Sequence, residues 1–91
     1  MLMIDYTKTF RKDFQKCKKR GLDVSLIESV LEMIINDKPL PSRYRNHILS
    51  GNYSGCRECH IKPDWIMIYR IDFERNMVIL LRTGTHSDLF D

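Results

Sequence analysis

The sequence lacks any long hydrophobic run and contains few residues that build unusual structures. Its longest apolar stretch, Trp65 to Tyr69, is far shorter than the roughly 20 residues that a membrane-spanning helix requires. Residues 1–6 show no cationic segment followed by an apolar one, so no export signal is expected. Only four glycines and three prolines occur among 91 residues, which argues against fibrous and low-complexity proteins. We expect one globular domain over residues 1–91.

The sequence is also poor in cysteine, with three residues that do not suit a disulfide framework. An odd number, with two of the three spaced Cys-x-x-Cys in one extended segment, favours a reducing cytoplasm. Zinc bound by Cys56, Cys59, His60 and His86 is chemically permissible. However, an odd spacing on a strand sends Cys56 and Cys59 to opposite faces. We therefore predict no metal site and no cofactor.

The charge is unevenly distributed, although the net value is only +3. Residues 1–20 carry seven Lys or Arg against two Asp, residues 21–37 carry four acidic residues and no Lys or Arg, and residues 38–62 are basic again. Concentrated basic surfaces suit phosphate-containing partners. The simpler alternative is that these charges only cover solvated helix faces.

The N-terminal part predicts a short strand followed by a basic amphipathic helix. Residues 1–6 alternate loosely and are interpreted as an edge or second strand. Thr7 can cap a helix that runs from Lys8 to about Arg20, with Gly21 at its end. Its apolar residues recur at helical spacing: Phe10, Phe14 and Cys17.

The remaining pattern predicts a second helix and then a β-meander. The second helix begins at Asp23 or Ser25 and ends near Asn36, and residues 39–51 are interpreted as mostly loop. Strands follow over about 53–61, 65–72 and 77–83, and residues 85–90 form a terminal turn. The expected fold is α+β: an N-terminal strand and an antiparallel two-helix hairpin packed on a small, mainly antiparallel twisted sheet.

Chemistry is suggested by three histidines in the second half, His47, His60 and His86, together with Arg82 and Asp64. RNA supplies its own nucleophile, the ribose 2′-OH, so its cleavage needs only a base, an acid and a cation for the phosphate. Histidine titrates near neutrality and serves either proton role. Arginine matches phosphate geometry, and Asp64 could orient an imidazole.

Aromatic side chains could stack on unpaired bases, and Tyr53, Trp65 and Phe90 are available. Each has an ordinary structural explanation: Trp65 begins an apolar strand, and Phe90 could simply pin the terminus. Arg82 is more unusual, since an arginine within an apolar strand needs an anion.

Three segments of the second half resemble YafQ-type toxins of the RelE superfamily: Arg57 to His60, Pro63 to Tyr69 and Arg82 to Phe90. Asn46 to Gly51 resembles the His-x-Leu-x-Gly segment of that family. The similarity lies in specific motifs over residues 47–90 and is only a matter of pattern over residues 1–46.

The resemblance implies a RelE-like fold and the toxin of a type II toxin–antitoxin system, acting as a metal-independent, ribosome-dependent mRNA endonuclease. A co-expressed antitoxin would inhibit it and would contact operator DNA in its place; no membrane partner is implied. His86 would be the leading proton donor or acceptor, with Arg82 on the phosphate and the acid and base left open. The active-site positions that the resemblance implies are His47, His60, Asp64, Trp65, Arg82, His86 and Phe90. The basic residues of the first helix would contact ribosomal RNA: Lys8, Arg11, Lys12, Lys16, Lys18, Lys19 and Arg20.

Two other functions are considered. A ParE-like toxin of the same superfold would poison gyrase without cutting RNA, but it leaves the three histidines unexplained. A plain RNA- or protein-binding module would act through the basic helix alone.

Overall fold

The computed structural model describes residues 1–91 as a five-stranded sheet with two longer helices on one face and a short one on the other. Its elements are β1 Met3–Tyr6, α1 Lys8–Lys19, α2 Ser25–Ile35, β2 His47–Ile48, β3 Arg57–Lys62, β4 Trp65–Asp72, β5 Met77–Gly84 and α3 His86–Phe90. The strand order is β1-β5-β4-β3-β2, with β1 parallel to β5 and every other pair antiparallel. The α+β prediction is confirmed. No helix has the length and apolar character needed to cross a membrane.

Helix α1 begins and ends as predicted. The Thr7 hydroxyl accepts a hydrogen bond from the backbone N–H of Phe10 at 2.9 Å, which satisfies one of the free donors of the first turn. Phe10 and Cys17 are buried against the sheet. Gly21 follows with φ +84°, a left-handed conformation that glycine adopts at little cost. The basic residues of the helix are left on its exposed side.

Helix α2 packs on the same face of the sheet. Its buried residues are Ile27, Val30, Leu31 and Ile34. They join a core that includes Cys59, Ile61, Trp65, Met67, Tyr69, Val78 and Leu80 from the strands. Both helices thus lie on one face, where they shield the central strands and leave the opposite face for other contacts.

The predicted meander is confirmed for β3, β4 and β5. Three details of the secondary structure differ from the prediction. Strand β3 begins at Arg57 rather than near residue 53, because Gly51–Tyr53 forms a 3-10 turn. The expected loop contains the two-residue strand β2. Residues 86–90 form a helix rather than a turn, because Thr85 and Asp88 make a capping box.

Side chains of the α1 region close the open edge of β5. Strand β1 pairs with β5 only as far as Leu80. Beyond it, the Thr7 hydroxyl donates to the carbonyl of Leu81 at 3.0 Å, and the Asp13 carboxylate accepts from the N–H of Thr83 at 3.2 Å. Here the backbone carbonyl of Leu81 and the N–H of Thr83 are hydrogen-bonded by side chains rather than by another strand.

Candidate active site

The sheet face opposite α1 and α2 carries a row of polar residues. In the register of the sheet, His47 pairs with Glu58, Glu58 with Ile68, and Ile68 with Arg82. Residues paired in this way point to the same face. His60 is two residues from Glu58 on β3, so it shares that face, whereas Cys59 between them is buried in the core with the helices.

Glu58 is the centre of this row. One of its carboxylate oxygens, Oε2, lies 3.0 Å from Nε2 of His47 and 3.6 Å from Nε2 of His60. The Glu58 side chain is only 6% exposed, whereas that of His47 is 50% exposed. A buried carboxylate is costly unless it is paired, so Glu58 depends on these imidazoles for compensation.

The hydrogen bonds at Nδ1 indicate the tautomer of both rings. Nδ1 lies 2.7 Å from the carbonyl oxygen of Arg45 in His47, and 3.1 Å from that of Pro63 in His60. A carbonyl only accepts, so each Nδ1 carries a proton and each Nε2 faces the carboxylate. A neutral ring can use Nε2 as an acceptor, and a protonated ring donates from it. Nε2 is thus the atom at which either histidine can exchange a proton.

The side-chain amide of Asn46 holds the segment that carries His47 in place. Arg45 adopts a left-handed conformation with φ +48°, and Asn46 follows it. The Asn46 side-chain oxygen accepts from the Tyr69 hydroxyl at 2.9 Å and from Nε of Arg57 at 3.2 Å. These bonds fasten the short strand β2 to β3 and β4, which positions His47 beside Glu58.

The third histidine belongs to an aromatic cluster on α3. The rings of His86 and Phe90 are 4.8 Å apart, one helical turn from each other. Tyr53 meets Phe90 edge to face, with 6.0 Å between ring centroids and an interplanar angle of 86°. A cleft of about 490 Å³ beside them is lined by Ser50, Asn52, Tyr53, Leu89 and Phe90.

One apolar cluster packs α3 against β4, the strand that pairs with β3. Leu89 of α3 packs with Cys56, Ile66 and Ile68. Ile66 is the cross-strand partner of His60, and Ile68 is that of Glu58. The α3 residues and the Glu58 group therefore lie on the same face of the sheet. No hydrogen bond links His86 to either of the other histidines.

Arg82 forms an ion pair with Asp13 of the same chain, which supplies the anion expected beside an arginine in an apolar strand. Its Nε and Nη2 atoms lie 2.7 and 3.3 Å from the Asp13 carboxylate. The hydrogen bond to Asp13 raises the pKa of the guanidinium. The Arg82 side chain remains 25% exposed. Its proposed contact with phosphate stays a prediction.

Two expected site residues have surroundings of another kind, and their roles stay predictions. Trp65 is 3% exposed, and its indole N–H donates to the Thr83 hydroxyl at 2.9 Å; it packs in the core and has no ring face free for a base. Asp64 is exposed and makes no hydrogen bond or ion pair with a histidine. The carboxylate that contacts the imidazoles is Glu58.

Glu58 is the residue that the sequence interpretation missed. The spacing Glu58-x-His60 on a strand was an available signal, because residues two apart share a face. The partner on β2 could not be found in this way, since β2 has only two residues. Tyr53, which the sequence offered as a possible stacking residue, lies beside Phe90.

The two cysteines of the Cys-x-x-Cys segment lie on opposite faces of the sheet. Cys59 is buried with the helices, and Cys56 is buried with Leu89. Burial first, and the charge of Glu58 second, raise the pKa of the Cys59 thiol to about 12. The four residues considered as zinc ligands do not lie together, and no group of three His, Cys, Asp or Glu is arranged to hold a metal ion.

The basic face of α1 forms a shallow groove of about 530 Å³. It is lined by Lys8, Arg11, Lys12, Gln15, Lys16 and Lys19. Five of the seven residues expected to contact ribosomal RNA are among them, and Lys18 and Arg20 are not. A groove lined by five cationic side chains and no hydrophobic residue suits a polyanion.

Comparisons with known proteins agree with this architecture. The chain is 36% identical over 88 residues to mRNA interferase toxin YafQ of Escherichia coli (strain K12), covering 96% of this chain and 94% of that protein. It is 35% identical over 91 residues to putative toxin YafQ of Haemophilus influenzae, covering 94% and 89%.

Solved structures agree as well. A metal-bound toxin from Helicobacter pylori superposes with a TM-score of 0.93 at 39% identity, covering 99% of this chain and 100% of that one. YafQ in the E. coli DinJ-YafQ complex superposes with a TM-score of 0.89 at 35% identity, and both chains are fully covered. Residues 2–91 match the family described as the bacterial toxin of the type II toxin-antitoxin system, YafQ. The chain therefore belongs to the YafQ family of type II toxins.

Proposed function

We propose that this protein is the toxin of a type II toxin–antitoxin system and cleaves mRNA on the ribosome, in the cytoplasm, by histidine acid–base catalysis. The observation that carries the proposal is the shared face of the sheet, where His47 and His60 contact Glu58 and where α3 holds His86. E. coli relatives named mRNA interferase support the class of reaction.

The reaction follows from the groups available. A histidine takes the proton of the ribose 2′-OH, the 2′-oxygen attacks phosphorus, and the bond from phosphorus to the 5′-oxygen breaks. A second histidine gives a proton to that leaving oxygen, so the products are a 2′,3′-cyclic phosphate, which can open to a 3′-phosphate, and a 5′-OH. Glu58 stabilises a positive charge on His47 or His60. The nucleophile comes from the substrate, so the scheme needs no metal.

His86 is assigned the leading proton-transfer role, and Arg82 the phosphate contact. His86 is exposed on the first turn of α3, where it can reach a substrate in the neighbouring cleft. Arg82 stays charged at any physiological pH. Tyr53 and Phe90 would stack on bases of the bound strand, and Phe90 is 41% exposed.

The basic groove of α1 would hold ribosomal RNA, because cations arrayed along one helix neutralise successive phosphates. The proposed protein partner is a cognate antitoxin, as in the DinJ-YafQ complex. Operator DNA would then be contacted through the antitoxin rather than by this chain.

The test replaces His86 by Ala and measures mRNA cleavage in a translating extract by mapping new 5′ ends. Loss of a general acid or base should reduce cleavage by roughly 10²–10⁴-fold, while folding and antitoxin binding persist. Ser87→Ala, at the neighbouring exposed position, is the matched control. Unchanged cleavage by His86→Ala would reject the proposed role. DNA-damage signalling without RNA cuts would favour gyrase inhibition.

A further inference from the structure

Asp88 of α3 connects elements that are far apart in the chain. Its carboxylate accepts two hydrogen bonds from the Arg20 guanidinium, at 2.6 and 3.0 Å, and lies 3.4 Å from Nζ of Lys16. Both cations belong to the C-terminal end of α1. The same carboxylate accepts from the backbone N–H of Thr85 at 2.9 Å.

The backbone around Asp88 also holds its carboxylate in place. The Asp88 N–H donates to the Thr85 hydroxyl at 3.1 Å, which completes the capping box at the start of α3. A Cβ on Gly84 would lie 2.9 Å from Oδ2 of Asp88, so only glycine lets β5 approach so closely. The Asp88 side chain is 16% exposed, and the Arg20 bond keeps its pKa below the ordinary range.

Helix α3 has few other anchors, since it has only five residues. Leu89 buries one side of it against the sheet. Asp88 fixes the side toward α1, and a bidentate Arg–carboxylate pair restrains orientation as well as distance. His86 lies two residues before Asp88 in the same helical turn, so the carboxylate controls where the imidazole is held.

We propose that Asp88 is a positioning residue for RNA cleavage: by fastening α3 to Arg20 and Lys16 of α1, it holds His86 in register with the bound phosphate. The inference rests on the proposed role of His86. Misplacing a reacting group by about 1 Å can reduce a rate on the order of 100-fold. The basic groove on α1 and the proton-transferring histidine are thereby held as one rigid unit.

The experiment compares Asp88→Ala with Asp72→Ala, which removes a carboxylate from an exposed ion pair with Arg75 at the turn between β4 and β5. RNA cleavage is measured at saturating and limiting substrate and normalised to the fraction that binds antitoxin. For Asp88→Ala we expect kcat to fall roughly 10- to 100-fold, with KM changing far less. Asp72→Ala should match the wild type.

NMR of the histidine ring signals provides a readout that general destabilisation would not move. In Asp88→Ala the His86 signal should shift, while the signals of His47 and His60 stay in place. Arg20→Ala removes the same pair without altering the capping box and should also lower kcat. A normalised kcat equal to that of the control, an unmoved His86 signal, or a change confined to KM would overturn the positioning role.

The two proposals fail separately. If His86→Ala leaves cleavage intact, the proposed catalytic function fails. If His86→Ala abolishes cleavage but Asp88→Ala cleaves like the wild type, only the positioning role of Asp88 is rejected.

Discussion

The carboxylate of Glu58 lies 3.0 Å from the His47 imidazole, across the register of β2 and β3. The pair joins a nearly buried anion to a half-exposed ring, and His60 approaches the same oxygen from β3. A positive charge on either ring, as the proposed mechanism requires, would therefore be met by a fixed negative charge.

Glu58→Gln should lower the rate of cleavage while preserving the shape of the site. Removing the charge is expected to reduce kcat roughly tenfold, the equivalent of about 1.4 kcal/mol of lost charge stabilisation. Single-turnover cleavage of a model mRNA on ribosomes measures the effect. Glu74→Gln, in the exposed turn after β4, is the control. Equal rates for both variants would show that Glu58 takes no part.

Trp65→Phe should affect stability and leave cleavage per folded molecule unchanged. The substitution removes the indole N–H that donates to Thr83, at a cost of about 1–2 kcal/mol in the free energy of unfolding. Urea denaturation measures that cost. Thr83→Val removes that bond and also the one that the Thr83 hydroxyl donates to the Ile66 carbonyl, so it should be at least as destabilising. A higher KM for RNA at unchanged stability would instead restore a substrate-binding role for Trp65.

Reversing two charges in the α1 groove should weaken association with the ribosome. For Arg11→Glu combined with Lys12→Glu, we expect a higher KM, an unchanged kcat and a shallower salt dependence, by roughly 0.7–0.9 in the log–log slope for each phosphate that the variant no longer neutralises. Binding measured across a range of salt concentrations tests this. Arg75 lies in the exposed turn after β4, and Arg75→Glu serves as the control. Identical salt slopes for the two proteins would exclude the groove as the RNA surface.

The pH dependence of the free energy of unfolding should reveal the contribution of the Asp88 ion pair. Its pKa is lowered in the folded state, chiefly by the hydrogen bond from Arg20 and then by the Thr85 backbone N–H. Its contribution is therefore fully present above the unfolded value of about 3.9 and is lost as the pH falls toward the folded value. The stability difference between wild type and Asp88→Asn, measured by urea unfolding, should be constant from about pH 5 to 7 and shrink below about pH 4. A difference that does not change with pH would contradict the ion pair.

The sequence was sufficient to predict the elements that depend on local patterns. The Thr7 cap, the apolar spacing of α1 and the three-strand meander all follow from neighbours in the chain. α3 had a recognisable signature too, because Thr85-x-x-Asp88 is a capping box. It was interpreted as a turn because five residues after a glycine give little periodicity.

The candidate site was harder to predict because it depends on pairing across strands. His47 meets Glu58 only through a two-residue strand, and Arg82 meets Asp13 across 69 positions of sequence. Neither partner can be identified from spacing alone. Trp65 was assigned to the site although it shares its face with Met67 and Tyr69, both core residues; strand alternation pointed to the core.

The closure of the β5 edge by Thr7 and Asp13 limits how another polypeptide can extend this sheet. Hydrogen-bonding groups already occupied by a hydroxyl and a carboxylate offer no template for an incoming strand. Any chain that lengthens the sheet must add beyond β1 or β2, at its two outer margins. Addition beside β2 would bring that chain next to His47, whereas addition beside β1 would place it at the opposite margin, far from that imidazole.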